Sequence, residues 1–502
     1  MDKNSVKEIN KELLTFIDKS PNAYYAVSNF AKMLDDNDYK RLYEGEAWKL
    51  SEGEGYYVTR DDSSIIAFRI PESGEVQAES EECGYSGFQI MASHSDSPSF
   101  KIKPNAGITV ENSYVKLNTE KYGGMIMSTW LDRPLSVAGR IVVRTEDGVE
   151  TKLVNIDRDL CMIPSLAIHM ERKTNDGYSW NAQKDMLPLF AQINIAGNDG
   201  DYNGADNTDS DLNLTADKLQ DDSLNKTDMN ELQDVALNKL TADKNVLLGV
   251  IAQEAGVPEE DILDTDLFLY NRNKGTMYGA DNEFIGSGRI DDLQCAYATM
   301  KGFVEAGGDD KSTSSIPVCC VFNNEEVGSS TKQGAASSFL EDVLKRINHA
   351  FGKDEEQIRQ LYTNSFMVSA DNAHAVHPNH TDKADPTNRP KLNEGIVIKY
   401  NANQKYTTDA VSGGIFRKVC ELADVPVQTY VNRSDIAGGS TLGNIATTRV
   451  SVTAVDIGLP QLAMHSAYET AGAVDTVYLI NAAKKFYSVS IKSERDGRYV
   501  IR

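Results

Sequence analysis

Residues 316–328 read IPVCCVFNNEEVG. A wholly apolar run of seven breaks abruptly into polar, ligand-type residues and ends in glycine. A run without apolar–polar alternation predicts a strand buried on both faces of a sheet, and the polar burst predicts a loop at its carboxyl end. The same order recurs in residues 89–98, QIMASHSDSP, and 366–374, FMVSADNAH. Further strands are expected at 87–92, 395–400, 425–431 and 449–455, with helices at 291–306 and 335–351. Strands alternating with helices imply an α/β fold, a mixed sheet sandwiched by helices.

Residues 105–264 read differently. Patterns such as ITVENSYVKL and GRIVVRTEDGVETKLVNI alternate, with frequent turns and few long helices. This predicts a β-rich domain inserted into an α/β domain formed by 1–104 and 265–502. Within it, residues 197–243 are rich in Asp and Asn and are expected to be a mobile acidic insertion. Asp199, Asp201, Asn203 and Gly204 match the opening of a calcium loop, but Ser210 stands where the bidentate Glu is required, which argues against calcium.

Composition narrows the function. A net charge of −24 over 502 residues excludes a phosphate-binding face of the nucleic-acid type. Six cysteines without a CxxC pair exclude a disulfide framework and a thiolate zinc site, and Cys319 and Cys320 read as buried thiols. No apolar run approaches the ~20 residues that cross a bilayer. The opening stretch reads as an amphipathic helix with Ile9, Leu13, Leu14 and Ile17 on one face, not as a signal peptide, so a cytoplasmic location is expected. There is no H-E-x-x-H, no G-x-S-x-G and no phosphate loop.

The polar bursts therefore carry the chemistry. In open α/β sheets ligands bind beyond the carboxyl ends of the strands, so three such bursts point to one shared site. Imidazole and carboxylate together suit zinc, manganese or cobalt. Asp96, two residues after His94, is placed to accept the second imidazole proton and leave the other nitrogen for metal. Of the adjacent Glu325 and Glu326, one is able to bind metal while the other stays free as a base. Each signal alone has a plain reading. Asp291 and Asp292 are placed to cap a helix, and His465 reads as a core histidine.

Seven ordered motifs change this: ASHSDSP, IPSLAIHMER, GRIDDLQ, NNEEVGS, SADNAHAVHPN, KYNANQKYTTDA and QLAMHS. Across nearly the whole chain they resemble the aspartyl aminopeptidase and vacuolar aminopeptidase I family of dizinc metallopeptidases. The resemblance implies two divalent ions per subunit, zinc first, with manganese or cobalt as substitutes. It places His94 and Asp371 on one ion, Glu326 and His465 on the other, and Asp291 between them. Glu325 becomes the general base and Asp96 orients His94. The chain departs from the family in carrying Asp292 where relatives usually have Asn, and in its longer acidic insertion.

The resemblance further implies that Lys399 pairs with an acidic substrate side chain, giving a preference for N-terminal Asp or Glu, while other branches prefer neutral residues. His377 is expected to touch substrate and His374 to support its loop. Gly438 and Gly439 permit close approach of a substrate main chain. His169 is expected to reach a neighbouring subunit's site within a tetrahedral dodecamer. The expected partners are thus peptides with a free N-terminus and further copies of the chain, with no nucleic acid and no membrane. The competing readings are a dimetal carboxypeptidase or deacylase, and a non-catalytic scaffold.

Overall fold

Buried Val, Ile and Phe runs supply the strands of a nine-stranded sheet. The computed structural model describes residues 2–72, 84–192, 246–309 and 313–502. The acidic insertion at 197–243, with its calcium-loop resemblance, lies outside them. The sheet comprises β1 (Lys40–Leu42), β2 (Gly55–Arg60), β3 (Ser64–Arg69), β4 (Phe88–His94), β5 (Ile316–Phe322), β6 (Phe366–Ala370), β7 (Ile396–Tyr400), β8 (Val427–Val431) and β9 (Thr453–Gly458). Their spatial order is β1-β2-β3-β5-β4-β6-β9-β7-β8. The central strands β5, β4, β6 and β9 run parallel, while β3 and β7 pair antiparallel to that block. Every residue of β4, β5 and β6 is buried, as strands covered on both faces require.

Side chains alternate between two cores. Met91 and Cys319 face one cluster, with helices α1 (Lys3–Asp18), α2 (Ala23–Asp35), α3 (Ile290–Asp309), α6 (Ala410–Leu422) and α8 (Asp475–Tyr487). Ile90, Ala92 and Cys320 face the other, with α4 (Phe339–Ala350), α5 (Glu355–Thr363) and α7 (Leu442–Ala446). The five described cysteines are buried and free. Leu13, Leu14 and Ile17 of α1 are buried as their spacing predicts.

Two differences from the sequence reading have local causes. The strand expected at 449–455 begins only at Thr453, because Arg449 and Val450 still donate to Ala446 O and close the end of α7. The β2–β3 hairpin is additional. Asp61 and Asp62 turn it with positive φ, a conformation short polar side chains tolerate.

The chain divides into two compact units, one formed by Met1–Ser99, Lys121–Trp130 and Tyr270–Arg502, the other by Phe100–Glu120 and Leu131–Leu269. The second is built on a six-stranded sheet. Its strand order is Val149–Asn155, Leu135–Arg144, Ile262–Asn271, Ser99–Val110, Tyr114–Tyr122, Leu189–Gln192. Its core includes Phe100, Leu117, Val137, Ile141 and Leu267. Among the described residues no helix is long and apolar enough to cross a membrane.

Candidate metal centre

β4, β5 and β6 are adjacent and parallel, so the loops at their carboxyl ends emerge side by side. His94 is the last residue of β4 and pairs in register with Phe322 at the end of β5. Asp371 follows β6, its N–H donating to Ile457 O of β9. Gly458 lets that loop lie close, since a Cβ there would stand 2.0 Å from Asp371 O. Asp291 enters from the first residues of α3, where Asp291 and Asp292 are not yet helical and are joined by a cis peptide bond. His465, with φ +66, lies between the short strands Pro460–Leu462 and Glu469–Gly472.

These side chains form two groups that meet at Asp291. His94 Nε2 lies 3.5 Å from Asp291 Oδ1 and 3.7 Å from Asp371 Oδ1. His465 Nε2 lies 3.5 Å from Asp291 Oδ2 and 3.4 Å from Glu326 Oε2. Within each of the sets His94–Asp291–Asp292–Asp371, His94–Glu325–Glu326 and Asp291–Glu326–His465, one ligand atom per residue lies within 4.8 Å of the others. Both histidines turn Nε2 inward because Nδ1 is engaged elsewhere. That of His94 is 3.0 Å from Asp96 O, that of His465 2.5 Å from Gly124 O. A carbonyl on one ring nitrogen fixes the tautomer that frees the other for metal.

Asp96 faces two loops at once. Its carboxylate lies 3.4 Å from His94 Nδ1, farther than its own carbonyl. Its stronger engagements are with the next loop: Glu325 N donates to Oδ1 (3.1 Å), while Glu326 N (3.2 Å) and Tyr122 OH (2.7 Å) donate to Oδ2. Asp96 thus holds the one-turn helix Glu325–Val327, which Asn324 enters in the left-handed region.

The arrangement is electrostatically incomplete without cations. Asp291 Oδ1 and Glu326 Oε1 are buried and accept no hydrogen bond. Burial, with the charge on Asp291 adding to it, holds the Glu326 carboxyl well above the usual range. Glu325 is also raised, first by burial, then by Asp371, Asp96 and Asp291 acting against a downward pull from His94. Burial opposes protonation of both histidines, but the surrounding carboxylates outweigh it; His465 is pushed up to about 9. Orphaned carboxylate oxygens facing inward imidazoles are a donor set that fits zinc, and the site meets that test.

The substrate candidates are placed unevenly. Lys399 is buried rather than projecting, its Nζ 3.3 Å from Asp371 Oδ2 and 2.8 Å from Asn372 O. Its cation therefore already balances Asp371. His377 is half-buried, and its Nδ1 accepts from Asn379 N. His374 packs edge-on to Tyr430. A Cβ on Gly438 would meet Asn432 Oδ1 at 2.5 Å, whereas Gly439 faces open space. His169 is exposed in the second unit, beside exposed Leu166, Ile168 and Met170.

Two contributors escaped the sequence reading. Tyr122 joins Asp96 to Asn324, accepting from Asn324 Nδ2 at 2.8 Å. Glu469 is buried and accepts from Asp291 N (3.1 Å) and His465 N (2.7 Å). Neither has a motif to announce it, since each acts on backbone or on another partner.

Comparison with known proteins identifies the family. The model of the aminopeptidase I zinc metalloprotease family, M18, matches residues 16–487. The "Probable M18 family aminopeptidase 2" of Clostridium novyi is 44% identical over 489 residues, 97% of this chain and 100% of that one. The "Probable aspartyl aminopeptidase" of Ricinus communis is 34% identical, with 95% of each chain covered. Among solved structures, that of the S. cerevisiae mApe1 dodecamer superimposes with a TM-score of 0.75 at 24% identity, covering 95% of this chain and 96% of the other.

Proposed function

The chain belongs to the M18 family of zinc aminopeptidases, and on that premise we propose that the two clusters meeting at Asp291 are the two metal sites of its peptide hydrolysis. One observation carries the reading: the two oxygens of Asp291 face different histidines, each with a second carboxylate beside it. His94 and Asp371 would hold one ion, Glu326 and His465 the other, and Asp291 would contribute to both.

When bound, zinc supplies Lewis acidity toward the scissile carbonyl and lowers the pKa of the attacking water. Glu325 takes a proton from the attacking water on its carboxylate as the water oxygen bonds to the carbonyl carbon, and delivers it to the departing amine nitrogen as the C–N bond breaks. Asp96 positions Glu325 by holding its N–H. Lys399 Nζ pairs with Asp371 Oδ2 at 3.3 Å in a buried setting. Burial lowers the Lys399 pKa, but the charge on Asp371, with others, more than restores it, so the lysine stays cationic.

The finer reading is a preference for N-terminal Asp or Glu. It is supported by a buried ammonium next to Asp371, two of whose three protons have partners, and by the relative named as an aspartyl aminopeptidase. The alternative within the family is a preference for neutral residues. Assembly into a dodecamer, with His169 completing a neighbour's pocket, is supported by the exposed apolar residues around His169 and by the assembly of the mApe1 neighbour. A cytoplasmic location completes the reading.

The test is hydrolysis of unblocked and N-acetylated Asp-, Glu-, Leu- and Lys-p-nitroanilides, before and after chelation and zinc add-back. Zinc-dependent cleavage of unblocked substrates alone, led by Asp and Glu, is expected. Cleavage led by Leu removes the acidic preference, and release of acetate from the N-acetylated substrates without p-nitroaniline replaces the reading with a deacylase. Lys399→Ala should lower the rate on Asp substrates more than on Leu substrates; equal losses would leave the lysine only its role beside Asp371.

A further inference from the structure

Two ligand candidates sit on backbone that regular secondary structure does not specify. Asp291 precedes the helical part of α3 with ψ 109, and His465 has φ +66. Nothing in a strand ladder or helix fixes where either residue points. Yet their side chains must converge to within a few tenths of an ångström to share one ion.

One side chain does this for both. Glu469 opens the strand Glu469–Gly472, which pairs antiparallel with Phe284–Ser287, Ser287 facing Glu469 in register. That neighbouring strand leads directly into Asp291. The buried Glu469 carboxylate accepts from Asp291 N through Oε2 and from His465 N through Oε1, and Gln461 Nε2 adds a longer bond to Oε1 (3.4 Å). Its two oxygens thus clamp two ligand residues that are far apart in the sequence. The other cluster has a separate clamp: Asp292 accepts from His94 N through Oδ2 and from Asn372 N, next to Asp371, through Oδ1.

We infer that Glu469 is a positioning residue for one half of the centre, setting the geometry of the Asp291–His465–Glu326 side while leaving the His94–Asp371 side to Asp292. The inference rests on the metal assignment proposed above. Glu469 itself touches neither substrate nor ion. It acts by presenting a fixed pair of acceptors to two backbone N–H groups, so that Asp291 Oδ2 and His465 Nε2 meet 3.5 Å apart.

The test uses the full chain, stripped with chelator and titrated with zinc. Wild type is measured first: a chain that binds no pair of zinc ions overturns the metal assignment, not the clamp. Glu469→Gln keeps size and shape but turns an amide N–H₂ toward one of the two N–H groups. It is expected to weaken the ion beside Glu326 and His465 about 10–100-fold, the range found when outer partners of ligands are lost, and the ion beside His94 and Asp371 less, because there only the shared Asp291 loses its anchor. Zinc-edge anomalous diffraction of the variant at one equivalent should show density beside His94 and Asp371 only. In saturating zinc, KM for peptide should return to the wild-type value. Two tight zinc ions in the variant, or equal weakening of both, would overturn the inference. Where Glu469→Gln does not fold, Glu469→Asp is read by the same criteria, because its shortened carboxylate reaches at most one of the two N–H groups.

Discussion

Glu325 and Glu326 are neighbours in sequence, and the different roles proposed for them rest on their contacts. Both N–H groups are pinned by Asp96, so the two side chains leave a fixed turn in different directions. Glu326 belongs with His465 and Asp291, while Glu325 is within reach of His94 without a ring nitrogen of its own to share. Glu325→Gln is expected to cut kcat by about 10²-fold or more, the scale of general-base catalysis, with zinc content unchanged by metal analysis. Loss of zinc from that variant would make Glu325 a ligand instead. The protonation directions give a second prediction. In the metal-free chain the surrounding carboxylates push the His465 pKa up to about 9, so its ring is protonated at pH 7, and burial holds the Glu326 carboxyl above its usual range. Ligation requires their deprotonated forms. Zinc binding should therefore release protons and tighten as pH rises from 7 through 9. Calorimetry in buffers of different ionisation enthalpy checks this; heats independent of buffer would contradict it.

At the scale of elements, the sheet was legible because its central strands are unbroken apolar runs, and the polar bursts after them marked its carboxyl edge. β5 and β6 fall at the residues their composition predicts. Short pieces such as Glu469–Gly472 were not legible. Such strands lack length for a periodic signal and owe their place to pairing with Phe284–Ser287. The role of Asp96 was half legible. Its closeness to His94 is local in sequence, but its hold on Glu325 and Tyr122 is made by the fold. Lys399 was read as a strand-end cation; its partner Asp371 sits at the end of another strand, across β9, which no spacing reveals. Tyr122→Phe tests the brace between elements. It leaves Asn324 Nδ2 without its acceptor and Asp96 with one bond fewer, and should cost about 1–3 kcal/mol in stability and lower kcat several-fold with KM little changed. An unchanged kcat would confine Tyr122 to stability. On α1, the buried Asn10 donates to Val6 O and Ala473 O. Asn10→Ala should lower the thermal midpoint by a similar free energy, without altering zinc stoichiometry.

For the whole molecule, the surplus of carboxylates is the organising fact. The chain carries −24 overall, and its catalytic unit gathers Asp96, Asp291, Asp292, Glu325, Glu326 and Asp371 around one point. Solvent-exposed acids cost a fold little, but buried ones that lack partners are destabilising. The folded state is therefore expected to be stabilised by zinc, with a midpoint that rises with zinc concentration as binding to the native chain dictates. The measurement that tests the account most directly is a titration of the metal-free full chain with zinc, following bound metal and hydrolysis of an unblocked p-nitroanilide together, beside Asp291→Ala. The account predicts two zinc ions per wild-type chain, activity that appears only as they bind, and loss of both tight sites in the variant. Activity without metal, or a variant that still holds two zinc ions tightly, would contradict it.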